Sequence, residues 1–180
     1  MNTFTIEMQD NVIMQAAQDD PEQFAPIYDR YFDRIYSYCR RRVNNPQVAE
    51  DLSSQVFERV LKSRHTFRAS GNFRAWLFRI AHNVVYDYLQ QERQFVDIDT
   101  IQVPDENRLI EMKQTTDILN ALIATLDNEE RDILLLSIDG GLTSHEIGDI
   151  VGKTAGAVRV QLHRIINRLR QQYQEYIDHE

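Results

Sequence analysis

The sequence has few of the residues that cross-link small proteins or bind metals. A single cysteine among 180 residues, Cys39, cannot form an internal disulfide, and we expect it to be a small buried apolar residue. No Cys/His cluster has zinc-ligand spacing, and the five histidines are scattered, so we expect neither a metal nor another cofactor. Packing alone is expected to hold the fold.

Long hydrophobic runs are also missing. No apolar stretch approaches the length that crosses a bilayer, which predicts no membrane insertion. Glu7 and Asp10 lie where a signal peptide would be basic. We therefore expect a cytoplasmic protein.

Strict alternation of apolar and polar residues does not persist anywhere, so half-buried strands are not expected. Helical spacing of apolar residues occurs almost throughout, and 42% hydrophobic side chains suffice for one domain or two small ones. The pattern predicts an all-α fold of two small helical domains.

The first predicted domain covers residues 1–93. Asp20, Pro21 and Gln23 match a helix start with Asp20 as N-cap. The stretch "NNPQVAEDL" ends that helix and starts another, whose polar face includes Asp51 and Glu58. "FRAWLFRIAHNVVYDYLQQER" then repeats apolar residues at helical spacing. The predicted inward stripe of the middle helix is Leu52, Val56, Phe57, Val60 and Leu61.

Residues 94–112 contain Pro104 and several acids and have no continuous apolar face, which predicts a flexible acidic linker. Residues 113–180 form the second predicted domain. Asp127 and Glu130 are expected to cap one of its helices, and Ile133 to Leu136 to supply its core.

A pair of short helical patterns closes the second domain. Thr143 and Glu146 match a capping box, Gly152 ends that helix, and Thr154 caps the next. Two helices joined by a glycine turn resemble a helix-turn-helix, whose second helix enters the major groove of DNA. The alternative is a solvated basic face on an ordinary helical hairpin.

Charge is distributed unevenly along the chain. Twenty-eight acidic and 20 basic residues give a net charge of −8, so binding to a polyanion must be local. From Lys153 to Arg170 there is no acid at all. Tight DNA binding by the free chain is therefore not expected.

These features together resemble the extracytoplasmic-function sigma factors of the sigma-70 family. The resemblance rests on "AEDLSSQVFERV", "FRAWLFRIAHNVVYDYL" and "RDILLLSIDGGLTSHEIGDIVGKTAGAVRVQLHRIINRL", in that order. It implies a non-enzymatic transcription factor that binds core RNA polymerase and promoter DNA, with an anti-sigma factor as a further candidate partner. No catalytic constellation appears in the sequence.

The resemblance also implies three sets of site residues. Duplex DNA of the minus-35 element would contact Lys153, Thr154, Ala157, Arg159, Val160, Gln161, Arg164 and Arg168. The melted minus-10 element would contact Arg68, Ser70, Gly71, Asn72, Arg79 and Asn83. Core RNA polymerase would contact Asp51, Ser54, Gln55 and Glu58.

Some assignments stay open. Trp76 shares the inward stripe of its helix and is expected in the core rather than as a stacking platform. For Tyr86 and Tyr88 both positions stay open. Ser54, Gln55 and Gln90 depart from the usual family pattern. The recognition helix also differs from that pattern, so the promoter sequence that it prefers does not follow from relatives. A self-sufficient helix-turn-helix regulator and a protein-binding helical adaptor are the alternatives.

Overall fold

The computed structural model describes residues 3–68, 71–95 and 115–178, and the side chains of 8–68, 71–93 and 117–178. Within these ranges the chain is helical and has no strand, so the all-α prediction is confirmed. The first domain contains α1 (Thr3–Asp19), α2 (Ala25–Val43), α3 (Pro46–Ser63) and α4 (Phe73–Phe95), with 3-10 turns at Pro21–Phe24 and Arg64–Thr66. The second contains α5 (Thr115–Ala124), α6 (Asn128–Ile138), α7 (Ser144–Val151) and α8 (Ala155–Asp178).

Polar caps set the helix boundaries. Asp20 does act as an N-cap, but for a 3-10 turn, accepting from the backbone N–H of Glu22 at 3.1 Å before α2 begins. Asn44 adopts a left-handed φ of 51° and ends α2. Asn45 then caps α3, because its Oδ1 accepts from the N–H groups of the second and third helical residues.

Helix α1 precedes the first helix start that the sequence pattern indicated. Its Met14 is buried while Met8 and Val12 are exposed, so apolar residues lie on more than one face and no single stripe marks the helix. Asp10 fastens α1 to α2: it is 1% exposed, pairs with Arg30, and accepts from the Tyr31 hydroxyl at 2.6 Å. Burial raises the pKa of Asp10.

Aromatic rings fill much of the first core. Phe73 packs edge-on against Tyr31, with ring centroids 5.7 Å apart, and Phe78 packs edge-on against Tyr38 at 6.0 Å. The predicted stripe of α3 faces this core, although Leu61 is only half-buried. Cys39 is fully buried, and burial raises the pKa of its thiol to about 11. It is the small apolar residue that the sequence predicted.

Aliphatic residues fill the second core. Ile133 to Leu136 are all buried, as predicted. Asp127 caps α6 by accepting from the N–H of Glu130 at 2.8 Å. The reciprocal bond from the Glu130 side chain to the N-cap is not formed, and the carboxylate of Glu130 pairs with Arg168.

The two cores are continuous, since buried residues of both domains belong to one hydrophobic cluster. Helix α2 and helix α4 contact α6 and α7 across this junction. The predicted linker, 94–112, lies outside the described residues apart from its first two positions, which continue α4 to Phe95.

Candidate nucleic-acid and polymerase interfaces

The helix-turn-helix is built by local hydrogen bonds. Glu146 N–H donates to Thr143 Oγ1 at 3.3 Å, and Glu146 Oε2 accepts from the Thr143 N–H at 2.8 Å, which completes the predicted capping box. Gly152 ends α7 with a left-handed φ of 73°. Thr154 Oγ1 then accepts from the N–H of Ala157 at 3.2 Å and caps α8. These predicted boundaries are confirmed.

Helix α8 buries one face and exposes another. Val158 and Ile165 are 0% and 1% exposed and hold the helix against its own domain. The opposite face includes Val160, which is 51% exposed. The exposed members of the candidate minus-35 set are Thr154, Ala157, Arg159, Val160, Arg164 and Arg168.

Acids of α6 engage three of the candidate DNA contacts. Gln161 Nε2 donates to Glu129 Oε1 at 2.9 Å, and Lys153 Nζ lies 3.1 Å from the same oxygen. Arg168 pairs with Glu130 at 2.5 Å. The hydrogen bonds from Gln161 and Lys153 lower the pKa of Glu129, which favours its ionised form at neutral pH. Part of the charge of α8 is therefore neutralised within its own domain.

The loop before α4 is described at Arg68, Gly71 and Asn72. Residues 69 and 70, which include the candidate Ser70, lie outside the described residues. Gly71 N–H donates to the carbonyl of exposed Arg68 at 2.8 Å, and its own carbonyl accepts from Asn11 Nδ2 at 2.9 Å. A Cβ at Gly71 would lie 3.1 Å from the Arg68 carbonyl oxygen, so the turn leaves little room for a side chain.

Asn72 has two roles that its position in the sequence did not reveal. Its Oδ1 accepts from the N–H of Arg74 at 3.0 Å, which caps α4. Its Nδ2 donates to Glu146 Oε1 of the second domain at 2.5 Å. Arg79, one further candidate, donates a long hydrogen bond of 3.4 Å to the carbonyl of Asp149. Asn83 is exposed.

The aromatic residues near this loop differ in exposure. Trp76 is half-buried and packs against Phe67 and Phe73, with centroid distances of 5.4 and 5.9 Å, which agrees with its predicted core position. Tyr86 is 50% exposed, and its hydroxyl accepts from Gln90 at 2.8 Å. The Tyr86 ring stacks against the ring of His82, with centroids 6.1 Å apart and 18° between the planes.

The candidate polymerase-binding face lies on α3. All four of its residues are exposed on the side opposite the core, as the helical pattern indicated. Glu58 pairs with Lys62 at 2.5 Å one turn later, and this hydrogen bond and charge lower the pKa of Glu58. Ser54 donates its hydroxyl to the carbonyl of Glu50 at 3.0 Å. A continuous polar surface results.

Sequence reasoning missed a buried polar cluster at the domain junction. Asp132 of α6 lies 3.0 Å from Arg42 Nε, and both residues are buried. Tyr38 donates its hydroxyl to Asp132 at 3.4 Å, and His82 lies 3.6 Å from it. Because these residues are remote in sequence and come from three helices, no local pattern could have grouped them.

Among the described residues, no three His, Cys, Asp or Glu side chains are grouped so as to hold a metal ion. None of the helices described is both long and apolar enough to span a membrane.

Two family descriptions match the chain, each on one helical domain. Sigma-70 region 2 matches residues 27–95, and Sigma-70, region 4 matches residues 122–171. The first contains the candidate minus-10 and polymerase residues, and the second contains the candidate minus-35 residues.

Whole-chain relatives agree with these matches. The ECF RNA polymerase sigma factor ShbA of Streptomyces griseus is 31% identical over 88% of this chain and 92% of its own length. SigW of Bacillus subtilis is 26% identical over 91% of this chain and 95% of its own. BldN of Streptomyces coelicolor is 28% identical over 88% of this chain, and the match spans 63% of the length of BldN.

Solved structures support the same fold. CnrH, in complex with the cytosolic domain of CnrY, superposes with a TM-score of 0.70 at 21% identity, covering 92% of this chain and 97% of that one. RpoE of Bartonella quintana, in complex with the anti-sigma factor NepR, gives 0.68 at 18% identity, covering 85% and 98%. These two structures show the fold. The regional matches and the identity to ShbA establish that this chain belongs to the sigma-70 family as an extracytoplasmic-function sigma factor, a promoter-directing factor of transcription initiation.

Proposed function

We propose that this sigma factor divides its work among three surfaces. The exposed face of α3 binds core RNA polymerase, α8 binds the duplex minus-35 element, and the loop before α4 holds an unstacked base of the minus-10 element. The corresponding domains are residues 1–93 and 113–180, joined by the linker 94–112. The outward face of α8 is the observation that carries the proposal.

Several properties of α8 suit a major groove. Gly156 and Ala157 are small and exposed at the start of the helix, which allows the backbone to approach DNA closely. Val160 offers an apolar contact of the kind that thymine methyl groups accept. Arg159 and Arg164 supply exposed cations for phosphates or guanine edges.

The minus-10 assignment is supported by chemistry of a different kind. A protein that holds a flipped base needs polar groups for the base edge and cations for the strand. Arg68 and Asn72 provide both types at the start of α4, and Arg79 and Asn83 add them about two and three turns along the helix. Tyr86, which is 50% exposed and stacks against His82, lies about one turn beyond Asn83 on the same helix.

The remaining assignments follow from this proposal. A factor that acts with RNA polymerase works in the cytoplasm, and we assign it no enzymatic reaction. The solved structures of CnrH and RpoE contain protein partners of those sigma factors, and RpoE's partner is an anti-sigma factor. We extend this partner class to the present chain.

Selection of DNA from a random duplex library tests the proposal. With core polymerase present, the chain should enrich two elements at a fixed spacing, and Arg164→Ala should change the upstream element only. Glu175→Gln, at an exposed position near the end of α8, is the control and should leave both elements unchanged.

The free chain provides the opposing test. Because its net charge is −8 and acids of α6 already engage α8, it should bind duplex DNA weakly at physiological salt. Sequence-specific binding in the nanomolar range by the free chain would instead identify a self-sufficient regulator.

A further inference from the structure

The loop before α4 is held at both ends by side-chain amides of α1. At the entry to the loop, Gln18 Nε2 donates to the carbonyls of Arg64 and Phe67, at 3.1 and 3.0 Å. At its exit, Asn11 Nδ2 donates to the carbonyl of Gly71 at 2.9 Å. Asn11 and Gln18 are about two helical turns apart and therefore lie on one face of α1.

Buried residues fix that face of α1 against the first domain. Met14 and Ala17, which lie between the two amides in sequence, are both 0% exposed. Asp10, the residue before Asn11, pairs with Arg30 of α2. Side chains on an anchored helix are placed more precisely than side chains on a loop. The two amides therefore reach the loop from a rigid support.

Asn11 also satisfies the first backbone donor of α4. The first four N–H groups of a helix have no intrahelical acceptor. In α4 the N–H of Phe73 donates to Asn11 Oδ1 at 3.3 Å. The N–H of Arg74 donates to Asn72 Oδ1 at 3.0 Å. Two asparagines thus share the capping of this helix, and one of them belongs to another helix.

The carboxamide of Asn11 therefore spans Asn72. It bonds the residue before Asn72 through Nδ2 and the residue after it through Oδ1. Because the oxygen of Asn72 caps α4, the two N–H donors of its amide are the groups that a base edge would meet. Their direction depends on the backbone at position 72, which Asn11 holds on both sides.

We propose that Asn11 is a positioning residue of promoter opening, which holds Asn72 in the geometry that receives an unstacked base of the minus-10 element. Asn11 acts through Asn72 and does not itself contact the base. The bonds that carry the inference join elements of the first domain. It rests on the proposed function of Asn72, since it names the residue that positions that side chain.

Matched substitutions separate the hold on the loop from the cap on α4. Asn11→Asp keeps an oxygen for the Phe73 N–H but turns an acceptor toward the Gly71 carbonyl, so the bond to the loop is lost. Gln15→Glu makes the same change from amide to acid at an exposed position of α1 and is the control. Circular dichroism of each variant checks the helical fold.

The single tryptophan of the chain, Trp76, reports the loop in the free protein. Its ring packs against Phe67 at one end of the loop and Phe73 at the other, with centroid distances of 5.4 and 5.9 Å. In Asn11→Asp the fluorescence emission of Trp76 should shift to longer wavelength, because a released loop admits water to the ring. Gln15→Glu should leave the emission unchanged. Parent emission in Asn11→Asp would overturn the hold of Asn11 on the loop.

The opening rate of a preformed closed complex tests the role in transcription. At saturating core polymerase, permanganate reactivity of the minus-10 element should appear about two- to tenfold more slowly in Asn11→Asp, the range expected for one lost hydrogen bond. The amount of closed complex should not change, and Gln15→Glu should open at the parent rate. Opening of Asn11→Asp at the parent rate would overturn the proposal.

A double-variant cycle shows whether Asn11 acts through Asn72. In a chain that already carries Asn72→Ala, the further change Asn11→Asp should slow opening no more, because the side chain that Asn11 positions is gone. If Asn11 only stabilised the fold, its effect on opening would be the same in both backgrounds. Additive effects would therefore overturn the proposal.

The same measurements separate this inference from the proposed function. Slow opening in Asn72→Ala together with parent-rate opening in Asn11→Asp overturns the positioning role and leaves Asn72 in the base pocket. Parent-rate opening in Asn72→Ala overturns the proposed function of Asn72, and the positioning role with it. Slow opening in both single variants and no further loss in the double variant supports both.

Discussion

The two candidate DNA surfaces differ in how far apart in sequence their supporting residues lie. The helix-turn-helix is shaped by Thr143, Gly152 and Thr154, which cap α7 and α8 within the single stretch 143–154. The loop before α4 is held by Asn11 of α1 and contacted by Glu146 of the second domain. The first surface is largely a local structure, whereas the second depends on the tertiary fold.

The cores beneath these surfaces differ as well. Beneath the loop before α4, Phe73 and its neighbours form an aromatic cluster. Beneath α8, the core consists of Ile133 and other aliphatic residues. These large rings contact several helices at once. The loss of one ring is therefore expected to destabilise the fold more than the loss of one aliphatic side chain beneath α8.

The largest effect is expected from Phe73→Ala. Phe73 is 1% exposed and contacts the rings of Tyr31, Phe67 and Trp76, so its loss should lower the free energy of unfolding by about 3–5 kcal/mol. Urea unfolding measures the change. Tyr86→Ala, at a 50% exposed position on the same helix, is the control, and its effect should stay within about 0.5 kcal/mol.

The next largest effect is expected from Gln161→Ala, which should change base preference at the minus-35 element alone. Loss of a bidentate base contact costs about 1–3 kcal/mol of discrimination. Competition binding of the polymerase complex to variant duplexes measures it. Glu129→Gln removes the carboxylate that Gln161 contacts but keeps the glutamine. If Glu129→Gln changes base preference at the minus-35 element as much as Gln161→Ala does, Gln161 acts through its contact with Glu129 rather than on a base.

Charge reversal on α3 should weaken core polymerase binding without unfolding the domain. Asp51 and Glu58 are both exposed, so the double variant Asp51→Arg with Glu58→Arg should bind about tenfold more weakly, about 1.4 kcal/mol. A pull-down titration measures affinity, and circular dichroism monitors the fold. Equal affinity would remove this face from the proposed interface.

The smallest expected effect is a difference in stability between substitutions of the two asparagines in the candidate minus-10 set. Asn83→Ala, at an exposed position, should impair permanganate-detected opening with little change in stability. Asn72→Ala should impair opening and also cost about 1 kcal/mol, because it removes the cap of α4. Normal opening in both variants would withdraw the pocket assignment while leaving the family unchanged.

Local patterns were enough to predict much of the fold. The capping box at Thr143, the left-handed turn at Gly152 and the polar face containing Asp51 follow from residues that are close in sequence. Helix formation and capping involve groups one turn apart, so short segments specify them. Helix α1 escaped prediction because its exposed and buried apolar residues form no single stripe.

By itself, the sequence determined the helical class, the helix-turn-helix and the family to which the chain belongs. Only the tertiary structure revealed that Asn72 caps α4 while donating to Glu146, and that Asp132 meets Arg42 and Tyr38 in a buried cluster. Such contacts join residues 74 to 94 positions apart. Periodicity carries no information about them, because they form only when separate amphipathic helices bury their apolar faces together.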